Sequence, residues 1–169
     1  MRRTPAAVVS AAFFAAAPGT AAFLGPWWVS GWQAREPFAS WVMVPLRVLG
    51  TLLVVAGLAV LVHAFARFVV EGLGTPVPIA PPERLVVGGL YRYVRNPMYV
   101  AVLGCVVGQA MLFGDGRLLL YAVAVAVPVV LFARFYEEPA LRRRFGADYE
   151  RYRAAVPGWW PTIHPRVGG

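Results

Sequence analysis

The sequence predicts an all-α fold: an integral membrane helical bundle of about four transmembrane helices, followed by an amphipathic helix on the cytoplasmic surface. Three observations predict it. Of the 169 residues, 59% are hydrophobic and only 14% charged, with a mean hydropathy of +0.61, whereas a soluble domain carries nearer a quarter charged residues. Apolar stretches approaching the roughly 20 residues that cross a bilayer recur along the chain. The cationic side chains, all arginine because the sequence contains no lysine, gather at the ends of those stretches. This length suits a single domain, residues 1–169, with an N-terminal helical pair (1–75) and a core (76–161).

The first span covers about Pro5 to Trp28, with Pro18-Gly19 marking a kink. Its apolar stretch runs past Ala15-Ala16-Ala17 and further spans follow, so it reads as a transmembrane helix rather than a cleaved signal peptide. The second covers about Val42 to Val70, longer than the hydrocarbon core requires, and should tilt or protrude. Met98 to Phe113 and Leu118 to Tyr136 form the third and fourth, joined by a tight turn at Gly114-Asp115-Gly116. Thr75 to Pro82 is a Pro-rich connection, either an ordinary loop or a lid.

Orientation follows from the arginines. Arg2 and Arg3 precede the first span, and Arg67, Arg84, Arg92 and Arg95 lie between the second and third. Arg134, Arg142, Arg143, Arg144, Arg151, Arg153 and Arg166 fall at or after the end of the fourth; the opposite connections hold only Arg35, Arg47 and Arg117. Both termini and the central loop are therefore expected in the cytoplasm. Trp27, Trp28, Trp32 and Trp41 form the outer aromatic belt, with Trp159 and Trp160 on the inner side. Arginine without lysine, beside abundant Ala, Gly, Val and Pro, matches the codon bias of a GC-rich bacterium and places the chain in its inner membrane. The +8 charge follows the positive-inside rule rather than a nucleic-acid footprint, and nothing points to an obligate protein partner.

Beyond Pro139, a residue suited to the first turn of a helix, Leu141, Phe145, Tyr149, Tyr152 and Val156 recur at spacings of three and four. This pattern predicts a helix lying on the cytoplasmic surface. Gly146 inside it costs on the order of 1 kcal/mol relative to alanine and is a natural place for a break.

Three polar groups reach the cytoplasmic edge together in this topology. His63, Arg67 and Glu71 are four residues apart near the end of the second span; Arg95, Asn96 and Tyr99 open the third; Arg134, Glu137 and Glu138 leave the fourth. Each has an ordinary explanation: a packed histidine, an i,i+4 ion pair, a positive-inside anchor, an interfacial aromatic. The adjacent glutamates resist one, because two carboxylates at a membrane face repel each other unless cations or a ligand compensate them. Two widely spaced histidines and one cysteine, Cys105, exclude a multi-cysteine or histidine metal site. No Ser/His/Asp or Cys/His arrangement, Walker loop or GxGxxG turn is present. Reactive groups must therefore come from a cofactor.

Residues Pro76 to Pro161 resemble the integral membrane methyltransferases related to isoprenylcysteine carboxyl methyltransferase and phospholipid methyltransferase. The likeness rests on Gly89-Leu90-Tyr91-Arg92-Tyr93-Val94-Arg95-Asn96-Pro97-Met98-Tyr99. After an apolar hairpin come Glu137-Glu138-Pro139-x-Leu141, Phe145-Gly146-x-x-Tyr149-x-x-Tyr152 and Val156-Pro157. The resemblance implies S-adenosyl-L-methionine bound at the cytoplasmic face by Tyr91, Arg95, Asn96, Pro97, Tyr99, Glu137, Glu138, Tyr149 and Tyr152. Arg95 and Glu138 are the implied catalytic residues, and His63 and Arg67 are candidates for substrate contact. The acceptor is expected to be lipid-like or prenylated, reached from membrane lipid. A carboxylate acceptor would be held by Arg95 or Arg67; an amine would give its proton to Glu137 or Glu138. Asn96 departs from the histidine of many relatives and cannot titrate near neutral pH. Two other readings stay open at this point: an NADPH-dependent membrane sterol-type reductase, and a non-catalytic lipid-binding scaffold.

Overall fold

The computed structural model describes residues 16–71, 85 and 87–162, without the side chains of Phe65 and of residues 67–71. The expectations placed on residues 5–15, on the Arg67 and Glu71 side chains and on the Thr75–Pro82 loop lie outside the described residues, as do Arg2, Arg3, Arg84 and Arg166. Within them the chain is helical and contains no strand.

Helical residues 16–19 lead into a π turn at Thr20–Leu24 and then into α1 (Gly25–Ser30). At Pro18-Gly19, where the sequence suggests a kink, Gly19 keeps helical angles (φ −64, ψ −42), and the departure from α geometry is the widened turn that starts at Thr20. Carbonyls in this turn are recruited by other helices. Tyr121 donates its hydroxyl to Ala21 O at 3.1 Å, and the buried Gln109 donates to Ala22 O at 2.6 Å. Gln109 also accepts the Trp32 indole N–H at 3.0 Å, so this buried amide has a partner at both ends.

The longest element, α2 (Ser40–Glu71), packs along α3 (Pro97–Phe113) through the most extensive interface among the described elements. The reason lies in small residues spaced seven apart on both helices. A Cβ added at Gly50 would lie 2.5 Å from Gly108 O; one at Gly57, 2.9 Å from Ala101 O; one at Gly108, 2.7 Å from Gly50 O. The two backbones thus approach closely, in direct contact at Gly50 and Gly108 and with Cys105 Sγ filling the gap at Gly57, the usual way helices gain contact where no hydrophobic driving force separates protein from lipid. Ala22, Leu61, Ala101, Val102 and Cys105 fill the core beside that seam.

Gly114 ends α3 with φ +64, a left-handed cap, and α4 (Arg117–Phe132) starts at once. Asp115, with its side chain 2% exposed, holds this turn. It accepts Arg117 Nη2 at 2.6 Å and the Arg117 backbone N–H at 3.1 Å, and pairs with Arg35 Nε at 3.3 Å. The hydrogen bonds from Arg117, aided by the charges of Arg117 and Arg35, hold its carboxyl below the usual range against the opposing effect of burial.

After α4 comes a second π turn, Ala133–Glu137, and α5 (Glu138–Ala155). The sequence suggests a fresh helix at Pro139, but the helical path is continuous. Proline has no N–H to give to a carbonyl four residues back and its ring crowds that carbonyl, a conflict that a widened turn just before it relieves. The break expected at Gly146 is present, at φ +52 and ψ −124, and separates two helical pieces bridged by an Arg142–Glu150 ion pair. Tyr149, Tyr152 and Val156 form a second core with Leu85, Val87, Leu141, Phe145 and Ala155 around them.

Among the described residues, two helical stretches are long and apolar enough to cross a membrane, Ser40–Ala64 and the continuous run Arg117–Ala155; Pro97–Phe113 is apolar but shorter. Only 17% of the apolar window of each long stretch is buried, the reverse of a soluble core helix. Trp27, Trp28, Trp32, Trp41 and Trp160 are exposed, as a belt requires. Trp159 departs from that expectation: it is half-buried and stacked on Tyr99.

Two glycine substitutions test the α2–α3 seam. Gly50→Leu forces a side chain into backbone, where overpacking costs about 1–3 kcal/mol, and should lower the thermal midpoint in detergent. Gly104→Ala, on the same helix as Gly108 with nothing within 4 Å of the new Cβ, should keep or raise that midpoint, since alanine favours the helix by up to about 1 kcal/mol. Equal midpoints for the two variants would contradict backbone contact at Gly50.

Candidate active site

Four pieces of backbone meet at the end of the α3–α4 hairpin remote from Gly114: the 3-10 turn Gly89–Arg92, the start of α3, the π turn with α5, and residues 156–162. Pro97 sits in the first turn of α3, where its missing N–H costs nothing. Its constraint keeps the preceding Asn96 out of the helical region, at φ −119 and ψ 56, so Arg95 and Asn96 turn toward the C-terminal segment. Backbone bonds then pair the two strands of chain: Arg95 N to Pro157 O at 2.9 Å, Asn96 N to Gly158 O at 3.2 Å, and Thr162 N to Tyr93 O at 2.9 Å.

Arg95 is the hub. Its Nε donates to Val156 O at 3.0 Å, and its Nη1 donates to Glu138 Oε1 at 2.8 Å and to the Tyr149 hydroxyl at 3.1 Å. The Arg95 and Glu138 side chains are 14% and 20% exposed, so the pair is far more shielded than a surface ion pair, which is worth little. Arg153 lies 3.8 Å from the other oxygen of Glu138.

Glu137 faces a different environment. The π turn that carries it points it at Tyr99, whose hydroxyl donates to Oε1 at 2.9 Å. Tyr91 lies close enough for the Glu137 charge to add to the effect of burial, which pushes the Tyr91 phenol above its ordinary range. Tyr152 donates to Tyr91 O at 2.7 Å, and Asn96 Nδ2 to Gly158 O at 3.1 Å.

Tyr91, Arg95, Asn96, Pro97, Tyr99, Glu137, Glu138, Tyr149 and Tyr152, widely separated in sequence, are thereby gathered into one cluster. His63 is not joined to it: it is exposed on α2 and has no hydrogen-bond or ion-pair partner among the described residues. The Arg67 side chain lies outside the described residues. Sequence reading missed Trp159, whose ring stacks on Tyr99 with centroids 6.2 Å apart and planes at 20°. Only the neighbouring Val156-Pro157 motif hints that this stretch belongs to the site.

A comparison with known families decides what this cluster is part of. Residues 45–148, more than half of the chain, match the phospholipid methyltransferase family. The chain belongs to that family. A relative is protein-S-isoprenylcysteine O-methyltransferase of Schizosaccharomyces pombe, 36% identical over 84 residues, which are 47% of this chain and 34% of that protein. The chain thus covers about a third of the relative's length. Both the family and this relative are named for methyl transfer.

Arg95→Lys keeps the charge but cannot make all three side-chain contacts. Two lost hydrogen bonds, each worth about 1 kcal/mol net, should loosen residues 156–162 from the start of α3. Limited proteolysis is expected to cut this variant after Ala155 well before the parent protein; equal resistance would mean that Arg95 does not hold the segment.

Proposed function

We propose that this chain is an integral membrane methyltransferase that uses S-adenosylmethionine and acts on a lipid-like or prenylated acceptor at the cytoplasmic face. In this reading it crosses the membrane four times, with both termini in the cytoplasm. The observation that carries it is the closure of the two motif halves through Arg95 and Glu138 at 2.8 Å, beside a second carboxylate, Glu137. Among the described residues Glu137 has no cationic group within ion-pair distance. A half-buried carboxylate without a cation suits a cationic ligand, and the donor set therefore fits this cofactor.

When bound, S-adenosylmethionine supplies an electrophilic methyl group on a positively charged sulfur. The chain's own residues bind and align. Tyr91, Asn96, Pro97, Tyr99, Tyr149 and Tyr152 form the walls, and Arg95 fixes the C-terminal segment over them. Alignment of an in-line displacement can supply most of the acceleration. For an amine acceptor, Glu137 or Glu138 is the available base; for a carboxylate acceptor, Arg67 and His63 on α2 are the residues to test. The relative's name points to a prenylated cysteine carboxylate and the family's to a phospholipid. An NADPH site needs arginines for its 2′-phosphate, and Arg95 is already engaged by Glu138.

Calorimetric titration of the detergent-purified chain tests the reading. Saturable binding of S-adenosylhomocysteine with no binding of NADPH is expected; the reverse pattern, or binding of neither, would overturn it.

A further inference from the structure

The arginines of α5 divide into two groups. Arg142 pairs with Glu150, Arg151 with Asp148, and Arg153 with Glu150 and Glu138 at 3.7 and 3.8 Å. These pairs engage every carboxylate on the helix. Arg143 and Arg144 are left over, exposed and with no acidic group within ion-pair distance among the described residues. Both line an open pocket of about 370 Å³ with Ala140 and Leu141, a volume within the range of small-ligand sites, about 300–1,000 Å³. Residues three and four apart share a helix face, so this face combines two guanidinium groups with two apolar side chains. The Arg144 guanidinium also lies over the Phe145 ring, 5.7 Å from its centroid, a contact that restrains a flexible side chain.

Depth in the membrane decides what such a face can hold. Arg117 to Ala155 is one continuous helical run, and at 1.5 Å per residue Ala140 lies about 35 Å and Arg143 about 39 Å along it from Arg117. The hydrocarbon layer is about 30 Å thick, and the bilayer with its headgroups about 40–45 Å. In the four-span reading above, Arg117 stands at the outer edge, so the pocket opens among the inner phosphates. Guanidinium groups take phosphate oxygens bidentately, and unpaired cations at this depth attract anionic lipid. Glu137 and Glu138 stand nearer the membrane centre and repel an anion from the cluster around Tyr99.

Resting on that membrane crossing but not on methyl transfer, we infer that Arg143, Arg144, Ala140 and Leu141 form a site for the headgroup of an anionic phospholipid of the cytoplasmic leaflet. The lipid is a bound ligand here, not the methyl acceptor. Its phosphate sits between the two guanidinium groups, and its glycerol end lies against Ala140 and Leu141. Leu141 also packs on the core of Tyr149, Tyr152 and Val156, so the lipid braces the half of α5 that precedes Gly146.

The test titrates short-chain phosphatidylglycerol, which has no nitrogen to methylate, calorimetrically into the full chain in neutral detergent. Parallel titrations use phosphatidylcholine of the same chain length and glycerol phosphate. The parent should bind phosphatidylglycerol saturably and about tenfold or more tightly than either. Choline sets a cation against the arginines, and glycerol phosphate lacks acyl chains. Arg143→Gln and Arg144→Gln should each weaken binding about tenfold, the scale of one charge-assisted hydrogen bond. Arg151→Gln removes the same charge from an arginine paired with Asp148 and should change binding by less than about twofold, as a screened surface charge does. Both target arginines are exposed, so their variants are expected to fold, and either one alone carries the test. Equal losses in all three variants would mean diffuse attraction and overturn the inference. So would full binding in Arg143→Gln and Arg144→Gln, or a parent without preference for phosphatidylglycerol. Glycerol phosphate bound as tightly as the lipid would overturn the assignment to a membrane ligand. None of these results bears on S-adenosylhomocysteine binding, whose absence would overturn the methyltransferase reading alone.

Discussion

The site depends on one guanidinium. Arg95 stands where α3 begins, and its side chain reaches Val156 O, Glu138 and Tyr149, which belong to the C-terminal segment and to both halves of α5 on either side of Gly146. Asn96 also bonds the C-terminal segment and Arg142 pairs with Glu150 across the break, but among the described residues only Arg95 bonds to all of these pieces. An ion pair this shielded costs several kcal/mol if one partner is removed, because the other is left charged and alone. The same property makes it an effective specifier: the C-terminal segment has one place where Arg95 is satisfied. Once it is there, Trp159 covers Tyr99 and the wall near Glu137 is complete.

Two widened helical turns deliver the polar groups that this arrangement needs. The turn at Thr20–Leu24 offers carbonyls to Tyr121 and Gln109, tying the first helical segment to α4 and α3. The turn at Ala133–Glu137 relieves the strain of Pro139 and sets Glu137 on a different bearing from Glu138. In an ideal helix neighbouring residues already diverge by about 100°, a consequence of 3.6 residues per turn. That divergence lets one carboxylate meet Arg95 while the other meets Tyr99. Rigid packing of α2 on α3 through Gly50, Gly57 and Gly108 gives the cluster a fixed base.

Much of this was legible in the sequence because it rests on local chemistry. The helices, the Gly114 turn, the break at Gly146 and the convergence of Arg95 with Glu138 follow from hydropathy, glycine and the spacing of charges. What escaped depends on contacts between distant segments. Trp159 reads as a belt residue from its neighbours Trp160 and Pro161, and only the pairing of Gly158 with Asn96 turns it inward. The glutamates look equivalent in sequence, since nothing local reveals that a π turn separates their directions. Asn96, where many relatives carry histidine, gives its amide to Gly158 O, a bond that needs no titration and that the sequence does not reveal.

The most direct measurement of the central claim is a double-mutant cycle on Arg95→Gln and Glu138→Gln, with unfolding free energies taken in detergent. If the guanidinium and the carboxylate hold the site together, the two substitutions should be strongly non-additive, with a coupling of about 1–3 kcal/mol. Additive losses, with a coupling near zero, would contradict the account.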